Sequence, residues 1–124
     1  MISRFLLPIL IFFAFTIFQS SAQELNTPLV TNKYSKVTSY EQLIAFINQL
    51  DEKSELLQLQ TIGQSVEGRN IVAMKFSTSE IGKDESKIKV LFFAQQHGNE
   101  QSGKEGALML ACELLKPENK YLFD

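Results

Sequence analysis

One cysteine and one histidine are all that the 124 residues contain. The lone cysteine, Cys112, excludes an internal disulfide. It is expected as a small buried hydrophobe on a helix, the alternative being an intermolecular thiol. Arginine is nearly as scarce, with only Arg4 and Arg69. Charge of one sign is also lacking: 12 basic residues face 14 acidic ones for a formal net of −2, and neither sign forms a long block. That balance points to no nucleic-acid partner and to no anionic membrane surface. No apolar run reaches the roughly 20 residues that a transmembrane helix needs. Internal repeats and low-complexity stretches are absent, and the length allows at most one small domain.

The longest apolar run, Phe5 to Phe18, is uncharged and follows Arg4. Ser20, Ser21 and Ala22 then place small residues where a signal peptidase reads, so residues 1–22 are expected to be a signal peptide. Cleavage after Ala22 would start the mature chain at Gln23. Its formal charge would be −3, because Arg4 leaves and no acid goes with it. The residue directly after the cleavage point is Gln23, so no cysteine stands there to carry a lipid. The expectation is export to a periplasmic or extracellular location, with no stable membrane anchor after cleavage.

Residues 23–37 are polar, contain Pro28 and show no sustained periodicity, which reads as a leader. Ser39 or Thr38 can then cap a helix, with Gln42 or Glu41 completing a capping box. Leu43, Ile44, Phe46, Ile47 and Leu50 recur at three- and four-residue spacing, predicting one apolar face over Tyr40–Glu52. Glu55–Ile62 and Asn70–Phe76 read as strands, joined through the glycines Gly63 and Gly68 into an antiparallel hairpin. Ile88–Ala94 reads as a further strand, and its Val90–Ala94 stretch is apolar on both faces, the pattern of a strand covered on both sides of a sheet. After a polar stretch, Ser102 with Glu105 predicts a second capping box. Ala107, Leu108, Leu110, Ala111, Leu114 and Leu115 supply a helical face before Pro117. The expected fold class is α/β, a mixed β-sheet with flanking helices. A doubly covered strand needs more neighbours than one hairpin and two helices provide, so residues 38–124 are expected to form an incomplete domain.

The polar stretch carries the chemistry. His97 and Glu100, separated by Gly98 and Asn99, leave the carboxyl end of the apolar segment, where open α/β sheets gather their ligands. Imidazole nitrogen and carboxylate oxygen are both zinc ligands, and two histidines, a glutamate and one open water position form an established catalytic set. The plain alternative is a loop histidine bonded to backbone.

Two segments then show a resemblance. Gln95-Gln96-His97-Gly98-Asn99-Glu100-Gln101-Ser102-Gly103, behind its apolar strand, resembles the first zinc-binding segment of the zinc carboxypeptidases related to carboxypeptidase A. Gly63-Gln64-Ser65-Val66-Glu67-Gly68-Arg69-Asn70-Ile71 resembles the hairpin that precedes it in the same family, and the order of elements also matches from Tyr34 to Leu115. The resemblance implies a zinc carboxypeptidase-like, phosphorylase/hydrolase-like fold and a Zn²⁺ cofactor. It implies His97 and Glu100 as the first two zinc ligands, and a peptide or protein substrate cut near its C-terminus. Gly63, Ser65, Gly68 and Arg69 match the hairpin signature and read as structural. Asn99 stands where some animal members have a substrate-binding arginine, and Lys104 reads as a solvated charge.

The same resemblance implies a second histidine, a catalytic glutamate and further arginines. No residue here matches them, so the catalytic groups are expected beyond Asp124 and the segment alone is expected to be inactive. Two other readings accompany this one. One is a zinc amidohydrolase of the N-acyl amino acid deacylase type, which can also carry His-Gly-Asn-Glu after a strand. The other is a non-catalytic secreted fragment.

Overall fold

Three buried side chains of one helix organise the packing. The computed structural model describes residues 25–123. The expected signal segment, 1–22, lies outside the described residues, as do Gln23, Glu24 and Asp124. Within the leader, Pro28–Thr31 forms a short helix, α1, with Pro at its start and Thr27 Oγ1 accepting from Val30 N at 3.4 Å. The helix expected from the apolar spacing follows as α2, Tyr40–Lys53. Its capping box is present in full: Ser39 Oγ accepts from Gln42 N at 3.2 Å, and Gln42 Oε1 accepts from Ser39 N at 2.9 Å. Phe46, Ile47 and Leu50 are its buried face, with Leu43 and Ile44 partly buried beside them.

Two strands follow, β1 (Leu57–Gln64) and β2 (Asn70–Phe76), paired antiparallel as a hairpin. β1 begins two residues later than the sequence predicts. Ser54 bonds Leu56 N through its hydroxyl and Leu57 N through its carbonyl, so a turn occupies the expected start. Pairing Leu57 with Phe76, Leu59 with Met74 and Thr61 with Val72 puts these residues on one face, and its apolar members pack against α2. Gln58 and Gln60, on the other face, meet solvent or a half-exposed neighbour. Gly63, expected to stop the strand, lies inside it, where the register shifts after Thr61 and Ile62 is left over as a bulge.

Helix α3, Gln101–Leu114, adds Leu108 and Ala111 to the core formed by Phe46, Ile47, Leu50 and Leu57. Leu110, expected on its apolar face, is exposed instead. The helix ends at Leu114, and Pro117 opens a 3-10 helix, Pro117–Phe123. That last turn returns to the hairpin: Phe123 stacks on Phe76 with ring centroids 6.5 Å apart, and Thr78 Oγ1 donates to Phe123 O at 2.8 Å.

Two further expectations need correcting. The segment 88–94 is not a strand: the sheet among the described residues is two-stranded, and this segment pairs with neither member. Strand backbone needs a neighbour for its N–H and C=O groups, and none lies beside it. Helices and an antiparallel pair are thus present, whereas a mixed sheet is not formed among the described residues. The second correction concerns the start of α3, which has Glu100 as N-cap and no side-chain cap bond. Glu105, expected to complete a box with Ser102, is buried and bonded elsewhere, because the buried Thr38 offers it two donors.

Candidate metal centre

The loop between the unpaired apolar segment and α3 brings His97 and Glu100 together. Glu100 Oε1 lies 2.9 Å from His97 Nδ1, and Oε2 accepts from His97 N at 3.2 Å. The backbone closes the same turn, with Glu100 N donating to His97 O at 3.1 Å. Three-residue spacing is what permits this: a single turn carries residue 100 back over residue 97. Glu100 O then accepts from Gly103 N at 3.1 Å, so the acid is also the first residue committed to α3. On the other side Gln95 takes a left-handed conformation, φ 55°, which bends the chain out of the extended segment.

Both side chains are open to solvent, 69 % for His97 and 51 % for Glu100. The Glu100 carboxyl is held below the ordinary carboxylate range. The side-chain bond to His97 is the main cause and the His97 backbone N–H the second, with slight burial opposing them. A carboxylate kept ionised is the form that binds a metal.

The second motif packs on a different part of the molecule. Ser65 N donates to Arg69 O at 2.8 Å, Gly68 N donates to Ser65 O at 2.9 Å, and Arg69 N donates to Ser65 Oγ at 3.2 Å. Gly68 has φ 75°, the left-handed conformation that favours glycine, whereas Gly63 does not have a positive φ. The Arg69 guanidinium lies 5.9 Å from the Tyr40 ring centroid and pairs with Glu67 at 2.7 Å. Tyr40 OH donates to Asn70 O at 3.3 Å. These contacts dock the hairpin tip on the start of α2.

The profile of the zinc carboxypeptidase family matches residues 43–122, which take in the hairpin, the His97–Glu100 loop and α3. The chain belongs to the zinc carboxypeptidase family. Over 71 residues it is 41 % identical to carboxypeptidase E of Caenorhabditis elegans, an alignment covering 56 % of this chain and 15 % of that protein. The chain therefore spans a small part of that relative's length. No solved structure matches it.

Membership sets a test for the donor set. An imidazole nitrogen and a carboxylate oxygen lying 2.9 Å apart fit two positions of a zinc site by the chemistry of their donor atoms. Among the described residues no group of three histidine, cysteine, aspartate or glutamate side chains could hold a metal. Cys112 takes no part: it is half-buried on α3, and burial, with Glu113 adding to it, pushes its thiol pKa up. No helix among the described residues is long and apolar enough to cross a membrane.

Sequence reasoning missed one buried polar contact. Thr38 and Glu105 meet across 67 positions, and Lys104, read as a solvated charge, donates through Nζ to Thr38 O. A signal was present. Glu105 precedes Leu108 and Cys112 by three and seven residues, which sets a carboxylate on the apolar stripe, and such a group must find donors inside.

Proposed function

We propose that His97 and Glu100 are the first two zinc ligands of an exported metallocarboxypeptidase that hydrolyses peptides or proteins near the C-terminus. The observation that supports this most is the convergence of His97 Nδ1 and Glu100 Oε1 at 2.9 Å inside the family match. Zinc bound there would polarise a carbonyl and lower the pKa of its water toward about 7. The chain's own contribution is to hold ligands. Glu100 is held ionised by its bonds to His97, and the one-turn geometry keeps imidazole and carboxylate 2.9 Å apart on one loop.

His97 is the sole histidine, so the third ligand of the proposed site comes from outside these 124 residues, as do the catalytic glutamate and the arginines that would grip a substrate carboxylate. On this reading the segment is a ligand-bearing part of a catalytic domain and is inactive by itself. Residues 1–22 direct export as a cleaved signal peptide, to the periplasm or the extracellular space. The family match supports a peptidase over an N-acyl amino acid deacylase.

The test is a zinc titration of the chain followed through the His97 imidazole resonances. These should move with zinc and stay in place with magnesium, a cation that favours oxygen ligands. Glu100→Ala should weaken the response at least tenfold. An unchanged zinc affinity in Glu100→Ala would overturn the assignment.

A further inference from the structure

Thr38 precedes the N-cap of α2 and is 1 % exposed. Two adjacent residues of α3 take all three of its polar groups. Thr38 N donates to Glu105 Oε1 at 2.6 Å, Thr38 Oγ1 donates to Glu105 Oε2 at 2.7 Å, and Thr38 O accepts from Lys104 Nζ. Glu105 itself is 5 % exposed. A carboxylate withdrawn from water depends on its donors, and charge-assisted bonds of this kind are the stronger class.

The consequence is geometric. Each residue turns a helix by roughly 100°, so holding both oxygens of one side chain fixes the rotation of α3 about its axis. Half a turn earlier, Gly103 lies against the entry to the loop: a Cβ there would stand 3.1 Å from Gln95 N and 3.6 Å from Ala94 Cβ. At the loop's other end Glu100 is the N-cap of the same helix. Both ends of the Gln95–Glu100 loop are therefore referred to α3, and α3 is referred to Thr38.

We propose that Glu105 is a positioning residue for the candidate metal site: by anchoring α3 to Thr38 it sets the direction in which His97 and Glu100 present their ligating atoms. The metal consequence rests on the zinc reading of those two residues; the placement of the loop does not.

Backbone amide resonances of the full chain, with and without zinc, test it. Glu105→Ala should shift the amides of His97, Glu100 and Gly103 and weaken zinc binding about tenfold, the lower end of what outer partners of metal ligands contribute. Thr38→Val, which keeps the backbone bond to Glu105, should act in the same direction but less. Thr38→Ser, which keeps all three polar groups, should restore the wild-type pattern. Ile47→Val weakens the core without touching Glu105 and should leave the three amides in place, which separates positioning from loss of stability. Unmoved amides in a folded Glu105→Ala chain overturn the proposal, as does wild-type zinc affinity when the amides have moved. Where Glu105→Ala does not fold, wild-type amides in Thr38→Val overturn it instead. Amides that move in a chain that never binds zinc would sink the zinc reading alone and leave the placement of the loop standing.

Discussion

The Glu100 carboxylate is held by two different groups of His97, the ring Nδ1 at 2.9 Å and the backbone N–H at 3.2 Å. In the tautomer protonated at Nδ1 the ring donates, so one residue donates to both carboxylate oxygens within a single turn. A metal ion at Nδ1 and a proton at Nδ1 are mutually exclusive, so zinc at the proposed site would displace this hydrogen bond.

A pH dependence follows from the same bonds. The folded-state pKa of Glu100 is depressed, so its stabilising contribution is present above the unfolded value and is lost as pH falls through the folded one. Side-chain ¹³C NMR should place its midpoint below that of an ordinary glutamate. His97→Ala should raise the midpoint part of the way, because the backbone N–H remains. A midpoint that His97→Ala leaves unmoved would remove the ring as the main cause.

Gly68 offers a test of the hairpin. Its φ is 75°, and a Cβ built there meets nothing within 4 Å, so Gly68→Ala is penalised by backbone strain alone. The expected loss is about 1–2 kcal/mol by urea denaturation. Gly98 also has open space around a Cβ but no positive φ, and its alanine variant should cost less than half as much.

Leu50 is fully buried where α2, β1 and α3 meet. Leu50→Ala should cost about 2–5 kcal/mol, a large share of the roughly 5–15 kcal/mol that holds a small domain together. Met109 lies on the exposed side of α3 and serves as the control; its alanine variant should stay within about 0.5 kcal/mol of wild type.

Local patterns were the legible part of this chain. Ser39 and Gln42 announce the start of α2 because a capping box is complete within four residues, and β2 spans the residues read as a strand from the sequence, Asn70–Phe76. The candidate site was legible for the same reason, since His97 and Glu100 meet inside one turn. Contacts spanning many residues were not. Glu105 satisfied a local capping rule with Ser102, yet a partner 67 positions away took it, because burying Thr38 without an acceptor costs more than leaving a helix start uncapped. Ile88–Ala94 failed in the opposite sense: its composition describes a strand, but a strand is made by its neighbours.

That segment supports a final prediction. Ile88, Val90, Leu91, Phe92 and Phe93 are 61–91 % exposed, so their side chains contribute little burial to this fold. The hydrophobic contribution scales with area removed from water, about 25 cal/mol per Å², and little is removed here. Phe93→Ser should therefore change the unfolding free energy by no more than about 0.5 kcal/mol. Phe46→Ala, at a side chain 6 % exposed, should cost about 3–5 kcal/mol in the same urea titration. The contrast isolates packing from composition, since both positions hold the same residue type. A loss above about 2 kcal/mol at Phe93 would mean that the segment is covered in solution, and its apolar pattern would then be that of a buried strand after all.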